Sequence, residues 1–205
     1  RTEIHQHTFS GCPPFGCPDL KGNLLKQIFE TMNTAWVPAF QIFSPKKLIG
    51  FQLNMSLVQN RTGELWQQFM RNRHLIQNPL STERISMQIH PAGYFSDFNP
   101  TKSFTKWAVA EVSDFTHVPE GMETIEIPGG LYACFHYKGS SADTRIFNFI
   151  FQEWLPGSGY ELDDRPHFEI LGERYKNLDP ESEEEICIPV KPVQPNNRLT
   201  DSSGN

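Results

Sequence analysis

The sequence predicts an α+β protein that is built from two similar halves. Segments in which apolar and polar residues alternate, as they do in half-buried strands, occur in the order strand, strand, helix, strand, strand, and the same order then repeats. The halves also share their turns, because Pro128 and Leu131 follow Pro45 and Leu48 by 83 residues. We therefore expect two antiparallel sheets with one helix each, related by a pseudo-twofold axis, and a central cleft where the halves meet.

The first half is predicted to begin with a hairpin and to continue through a helix into two more strands. The helix is expected at about 62–75, because Leu65, Trp66 and Phe69 recur on one face. The strands, of which the first two form the hairpin, are expected at about 40–43, 48–55, 84–90 and 107–112.

The second half repeats these elements in the same order. Its helix is expected at about 142–155, starting from a capping box in 140–143 and ending at Pro156 and Gly157. Its strands are expected at about 122–127, 131–137, 167–171 and 185–190, with the first two in a hairpin around Pro128, Gly129 and Gly130.

The composition indicates one globular domain between two polar ends. Hydrophobic residues make up 38% of the 205 residues, and no apolar run approaches the roughly 20 residues of a membrane span. The net charge of −6 disfavours direct binding to nucleic acid, which calls for a basic excess. We expect a leader over 1–33, a working domain over 34–191 and a tail over 192–205.

The cysteines and the lack of known catalytic motifs favour a cytoplasmic protein that has no cofactor or metal. The four cysteines do not resemble a dense disulfide framework, which suggests a reducing compartment, and Cys134 is expected to be a buried thiol in a strand. No phosphate-binding loop, dinucleotide fingerprint, zinc-protease motif or serine-hydrolase motif is present. We therefore expect no cofactor and no metal.

The strand at 167–171 carries the most informative candidate residue. Side chains alternate along a strand, so His167, Glu169 and Leu171 share one face. A carboxylate between apolar neighbours is costly unless it has a partner. Glu169 is therefore a candidate to receive a cation, or to act as a general acid or base. The alternative is a glutamate that faces solvent or pairs with Arg165 or Arg174.

Two further pairs of residues are candidates to line a ligand cleft. Trp107 and Glu111 share a strand face, and an indole beside a carboxylate suits an aromatic cation. The alternative for this pair is a core tryptophan and an edge glutamate. Tyr132 and His136 share one face of the strand at 131–137. One face of that strand packs on the second helix and the other is free for a cleft, but the sequence does not decide which.

Several stretches resemble the GyrI-like small-molecule-binding family over about residues 36–191. They are ELWQQFM, FTKWAVAEVSDFTHVPEGMETIEIPGGLYACFHYKG, FNFIFQEWLPGSGYELDDRPHFEILGERY and SEEEICIPVK. That family includes stand-alone proteins and the effector-binding domains of multidrug-responsive bacterial regulators. The resemblance implies a duplicated strand–helix–strand–strand fold with a ligand cleft between the two units.

The resemblance also implies roles for particular residues. In the family, an acidic residue on the strand after the second helix contacts cationic aromatic drugs among aromatic side chains, and Glu169 matches it. Trp107, Glu111 and Tyr94 are carried over to the same site by looser alignment. His90 and Cys187 stand where relatives are expected to have aromatic residues, which implies a different ligand preference if both line the cleft.

The function expected from these observations is binding rather than catalysis. We expect a stand-alone protein that takes a hydrophobic, cationic, planar small molecule between the repeats and contacts neither nucleic acid nor membrane. One alternative is a hydrolase of electrophilic toxins in which Glu169 is the general base. Another is an interaction protein that inhibits a DNA topoisomerase through an acidic surface formed by 181–185, Asp163 and Asp164. Otherwise the run at 181–185 is expected to be a solvated turn and strand start.

Overall fold

A computed structural model describes residues 36–97 and 99–193 of the chain. The predicted leader and the tail from residue 194 onward lie outside the described residues. Strands β1 to β9 are Ala39–Phe43, Lys46–Met55, Arg84–Ile89, Phe104–Val112, Glu123–Ile127, Gly130–Lys138, Tyr160–Leu162, His167–Leu171 and Glu183–Pro192. The class is α+β, as predicted, and β7 is the strand that the sequence analysis missed.

The strands form one antiparallel sheet of nine strands. The order across it is β1-β6-β9-β8-β3-β4-β2-β5, and β7 pairs with β9. Strands β2, β3 and β4 of the first repeat lie on one side of this order and β6, β8 and β9 of the second repeat on the other, whereas β1 and β5 each lie at the outer edge of the other repeat. The two repeats join edge to edge where β3 pairs with β8, so that Ser86 lies opposite Glu169. The centre of the sheet is therefore also the boundary between the repeats.

The predicted hairpins are wrong, because the first strand of each repeat pairs with the other repeat. β1 pairs with β6, placing Ile42 opposite Leu131, and β5 pairs with β2, placing Ile125 opposite Leu48. Each residue of the first pair is 83 positions from its counterpart in the second, so the exchange obeys the predicted symmetry. The prolines at the two turns have no backbone N–H to donate across a hairpin, which favours this alternative pairing.

A glycine makes the exchange sterically possible at one of the two turns. A Cβ atom at Gly129 would lie 2.3 Å from the backbone oxygen of Phe43. Because that distance is far below van der Waals contact, only glycine lets β1 approach the start of β6 this closely.

Both helices lie on the same face of the sheet. Helix α1 (Thr62–Asn72) continues into a 3₁₀ turn at Arg73–Leu75, and it buries Leu65 and Phe69 against β2 and β4. Helix α2 covers 145–157, with a π-helical middle at Phe149–Trp154, and it packs on β6 and β9. Neither helix is long and apolar enough to cross a membrane, among the residues described.

Helix α2 begins three residues later than the capping box predicted. Its first helical residue is Arg145, whose backbone N–H donates to the Asp143 carboxylate at 3.0 Å. Asp143 also binds the Arg145 side chain, which holds the pKa of this carboxyl at about 2. The predicted Ser140–Asp143 segment is therefore the turn before the helix rather than its first turn.

The face opposite the helices has its own apolar core, which includes residues of both repeats. Its buried members are Leu48, Ile85, Met87, Trp107, Val109, Ile127, Tyr132, Cys134, Phe168 and Cys187. Since Leu48 and Tyr132 come from opposite ends of the sheet order, the sheet curves so that this face closes around a shared core.

Cys134 is not the buried thiol that the sequence predicted. It lies directly opposite Cys187 on β6 and β9, with 4.2 Å between the Cα atoms, and the two form a disulfide. The sequence places these cysteines 53 residues apart, so their pairing depends on a strand register that local patterns do not contain. The expectation of a reducing compartment, which rested on the lack of a dense disulfide framework, is weakened by this disulfide.

Candidate functional site

A stripe of polar side chains crosses the helix-bearing face at the centre of the sheet. We call it the polar stripe, and it consists of Arg84, Ser86, Gln88, Lys106, His167, Glu169 and Glu184. On either side of it the same face is apolar, with Ala108 under α1 and Ile186 under α2. The stripe therefore lies between the two helices, where neither of them covers the sheet.

Glu169 is the central carboxylate of the polar stripe. The Lys106 ammonium lies 3.7 Å from one carboxylate oxygen, and Gln88 Nε2 lies 3.5 Å from the other. The Glu169 side chain is 16% exposed and the Lys106 side chain 10% exposed, so the pair is largely shielded from solvent. Neither Arg165 nor Arg174, the partners considered from the sequence, contacts Glu169, because Arg165 pairs with Asp163 and Arg174 with Glu183.

Glu184 is a second carboxylate of this site, which sequence reasoning missed. The run at 181–185 was expected to be a solvated turn and strand start; β9 does begin there, at Glu183, but it places Glu184 half-buried on the same face as Glu169. Burial raises the pKa of Glu184 to about 7, the charge of Glu169 adds to this effect, and Lys106 opposes it. The signal in the sequence was the alternation of Glu184 with Ile186 and Ile188, both of which pack under α2.

A pocket of about 150 Å³ opens beside the polar stripe, at the end that carries His167. Its walls come from the segment after β3, which includes His90, Tyr94 and Phe95, and from the loop 162–165 before β8. The Phe95 ring stacks on His167 with 5.2 Å between ring centroids and 10° between planes, and on Phe151 of α2 at 5.6 Å. Rings from both repeats thus meet over this end of the cleft.

The two histidines of the pocket are uncharged at neutral pH. Burial, with a smaller contribution from the charge of Lys106, lowers the pKa of His90 to about 4. Burial also lowers the pKa of His167 to about 3, and His90 adds to the effect. In the described part of the chain, no three His, Cys, Asp or Glu side chains converge on a position for a metal ion.

The structure places Trp107 and Glu111 on the opposite face from Glu169. Trp107 lies across from Met87 in the shared core, and its indole is 5% exposed. Glu111 pairs with Lys46 at 2.7 Å. Neighbouring residues of a strand point to opposite faces, so Lys106, the residue before Trp107, lies in the polar stripe instead. Trp107 and Glu111 do share a face, as predicted, but not the face of Glu169.

Tyr132 and His136 also lie on the face without helices. Tyr132 is buried, and its hydroxyl donates to the Pro166 carbonyl at 3.2 Å. His136 is exposed, and its Nε2 lies 3.4 Å from Glu183. The other row of β6, which includes Phe135, packs on α2, and this answers the question that the sequence left open. Of the predicted ligand-binding residues, the structure therefore brings Glu169, His167 and Tyr94 to the cleft side.

Similar proteins agree with this architecture. The transcriptional regulator BrlR of Pseudomonas aeruginosa is 28% identical over 155 residues, which are 75% of this chain and 53% of the regulator. The chain thus spans about half the length of this curated relative. The structure of SAV2435 bound to tetraphenylphosphonium superposes with a TM-score of 0.60 at 13% identity, covering 75% of this chain and 93% of that one.

A second similar structure is a complex of the protein EcmrR with DNA. It superposes with a TM-score of 0.59 at 14% identity, and the match covers 84% of this chain and 64% of that one. At such identities these structures establish the fold alone. The family itself is established by sequence, because residues 38–191 match the GyrI-like small molecule binding domain. The chain belongs to the GyrI-like small-molecule-binding family.

Proposed function

We propose that this domain binds a hydrophobic, cationic small molecule in the cleft between α1 and α2, over the polar stripe. The observation that carries the proposal is the polar stripe itself, which lies between the two apolar surfaces that pack under α1 and α2. Half-buried charged groups cost free energy without a compensating interaction. A ligand that approaches from between the helices supplies such an interaction.

The charges of the polar stripe favour a cation. Lys106 offsets one negative charge, while Glu169 and Glu184 together carry two when both are ionised. Arg84 adds a second positive charge, so the stripe as a whole is neutral when both carboxylates are ionised. The Arg84 guanidinium, however, donates to the Gly172 carbonyl, and among the described residues Glu184 has no ion-pair partner, so a cationic ligand would supply the partner that it lacks. The neutral state of His90 and His167 adds no positive charge that would repel a cation. The tetraphenylphosphonium bound by SAV2435 is a hydrophobic cation of this class, which supports the proposal.

The rings beside the polar stripe supply the hydrophobic part of the site. Tyr94, Phe95 and Phe151 offer faces and edges on which an aromatic ligand can pack. Aromatic side chains contribute large contact areas and attract cations through their ring faces. Charge recognition by the carboxylates and packing by the rings therefore act on one ligand.

The test compares a cation with a neutral molecule on matched variants. Tetraphenylphosphonium and the neutral triphenylphosphine oxide are titrated into the wild type, Glu169→Gln, Glu184→Gln and the control Glu111→Gln, which lies on the other face. We expect Glu169→Gln to weaken tetraphenylphosphonium by about 1–3 kcal/mol, the scale of a charge-assisted contact, and to leave the neutral compound unchanged or tighter. Isothermal titration calorimetry at pH 8 gives both values.

Other outcomes of this titration would indicate a different role for Glu169 or a different position of the binding site. If Glu169→Gln weakened both compounds equally, Glu169 would contribute to the shape of the cleft but would not distinguish a charged ligand from a neutral one. If Glu111→Gln alone weakened the cation, the binding site would lie on the opposite face. Undiminished binding of tetraphenylphosphonium to every variant would refute the proposal.

Hydrolysis is a second candidate function, favoured by the raised pKa of Glu184. Two neighbouring carboxylates, one of which keeps its proton near neutral pH, form an arrangement that suits a general acid beside a general base. In this alternative Glu169 activates water and Glu184 donates the proton to the leaving group. Turnover discriminates the two functions, because a binding protein returns an electrophilic ligand such as an epoxide intact.

Inhibition of a topoisomerase through an acidic surface has less support. Asp163 pairs with Arg165, Glu183 with Arg174, and Glu181 with Lys138, so much of the expected negative charge is offset locally. We propose that the domain acts in the cytoplasm without direct contact with nucleic acid, in keeping with its net charge of −6.

A further inference from the structure

The pocket beside the polar stripe contains polar groups that the proposed cation site does not use. His167 is 7% exposed, and within 36–97 and 99–193 its imidazole takes part in no hydrogen bond, although it contacts the rings of His90, Phe95 and Phe151. The Nδ1 atom of His90 is fully buried and has no hydrogen-bond partner. Buried polar atoms are normally paired, and those that are not call for an explanation.

The dimensions of the pocket indicate what would fit there. A volume of about 150 Å³ is close to that of a protein cavity that holds one benzene molecule. One wall is the stacked pair Phe95 and His167, and the other side of the pocket is formed by the loop 162–165, with Asp163 and Arg165. The pocket therefore accommodates a small planar ring system, of one ring or two fused rings, rather than a complete drug-sized molecule.

The chemistry of the two imidazoles narrows the kind of ring. A neutral imidazole offers one N–H donor and one nitrogen acceptor. His90 and His167 both remain neutral at physiological pH, because burial keeps their pKa values at about 4 and about 3. A hydrocarbon ring would leave both groups unpaired, whereas a ring with a donor and an acceptor of its own would satisfy them.

We propose that this pocket is a subsite for one planar aromatic ring that carries both an N–H donor and a nitrogen acceptor. His167 and Glu169 are two residues apart on β8, which separates them by about 7 Å along the strand. The ligand class is therefore a nitrogen heteroaromatic ring that bears a cationic centre at about that distance. This inference rests on the proposed function, since the ring and the cation belong to one ligand.

The experiment uses the ring alone. Benzimidazole, which has both a donor and an acceptor, and indene, a hydrocarbon of the same shape, are titrated into the wild type, His167→Phe and the control His117→Phe, an exposed histidine outside the pocket. We expect benzimidazole to bind the wild type and the control equally and to bind His167→Phe about tenfold more weakly. Indene should bind His167→Phe at least as well as the wild type.

A second measurement does not depend on the variant folding. In the wild type, benzimidazole should shift the side-chain NMR signals of His90 and His167 and leave those of His117 in place. Equal binding of benzimidazole and indene, or unshifted His90 and His167 signals at saturation, would overturn the subsite.

The same ring probe separates this inference from the proposed function. Benzimidazole should bind Glu169→Gln as it binds the wild type, because Glu169 does not line the pocket. If Glu169→Gln loses tetraphenylphosphonium binding but still binds benzimidazole, the result supports both the cation site and the ring subsite. Binding of tetraphenylphosphonium without any binding of benzimidazole removes the subsite and leaves the cation site standing.

Discussion

Lys106 changes what Glu169 contributes to the protein. From the sequence, Glu169 was a carboxylate among apolar neighbours that needed an external cation. In the structure the Lys106 ammonium lies 3.7 Å away, so the folded protein already provides one compensating charge. The charge that is left without a cationic partner belongs to Glu184, for which no ion pair is found among the described residues. Under the proposed function, the charge of the ligand would therefore interact with two carboxylates and one ammonium together.

Glu184 predicts that stability falls as the pH rises. Unfolding returns its pKa from about 7 to the ordinary value of 4.5, so between these pH values the folded protein holds a proton that the unfolded chain has released. The free energy of unfolding should therefore fall by up to about 3 kcal/mol from pH 4.5 to pH 7. The Glu184→Gln variant should lack this decline. Urea denaturation of both proteins at pH 5 and pH 8 measures it.

The surroundings of Glu184 define the control for this prediction. The charged and titratable groups that act on it are Glu169, Lys106, Tyr175 and Tyr137, and they remain in the variant. Glu185 lies on the opposite face, across from Ile170, so Glu185→Gln should keep the wild-type decline. A Glu184→Gln protein whose stability depends on pH as the wild type does would assign the effect to another group.

Sequence reasoning found the site features that depend on one strand alone and missed those that depend on the pairing between strands. Alternation within one strand is a local property, and it correctly grouped His167 with Glu169 and Trp107 with Glu111. Whether residues of two different strands share a face depends on the register between the strands. A shift of one residue in that register moves every side chain of a strand to the other face. For that reason the family resemblance placed Trp107 at the site of Glu169, whereas in the structure it is Lys106 that lies beside Glu169.

Among the elements, the exchanged strand β1 has the clearest energetic consequence. Phe43 belongs to the first repeat, but its ring packs edge-on against Tyr132 and Phe168 of the second, at 5.4 Å from each. The neighbouring Ile42 is 82% exposed. The same strand therefore has one side chain that ties the repeats together and one that contributes almost nothing.

We expect Phe43→Ala to lower the free energy of unfolding by about 2–4 kcal/mol, because it removes a ring from the shared core. Ile42→Ala should change it by less than about 0.5 kcal/mol, as expected for an exposed site. Chemical denaturation of the two variants measures both values. Similar effects at the two positions would contradict the observed orientation of β1.

The positions of the helices and strands were largely predictable from the sequence, but the pairing of the strands was not. The periodicity of Leu65 and Phe69 located α1, and alternation located every strand except the three-residue β7. The pairing of β1 with β6 was not predicted, because a turn of two residues normally joins the strands of one hairpin. Proline at both turns was the available signal, since it removes a donor where a hairpin needs one.

At the scale of the whole molecule, duplication explains where the proposed ligand site lies. Each repeat covers most of its own sheet with its own helix, and the strands at the junction, β3 and β8, are left between the helices. Polar side chains are tolerated on this face because it is not in either helix-packed core. The 83-residue offset in the sequence was sufficient to predict the cleft, but not the continuous sheet that forms its floor.

The exchange of β1 and β5 predicts that the halves cannot fold separately. A fragment over 36–117 would lack β6 as the partner of β1 and β5 as the partner of β2, and would expose the edge of β3. A fragment over 118–193 would have the equivalent defects. The shared core contains residues of both halves, so each fragment also loses much of its apolar burial. We expect both fragments to be unfolded alone by circular dichroism, and an equimolar mixture to regain strand signal and one cooperative melting transition. A fragment that melts cooperatively by itself would show that its repeat is stable without the strand it receives.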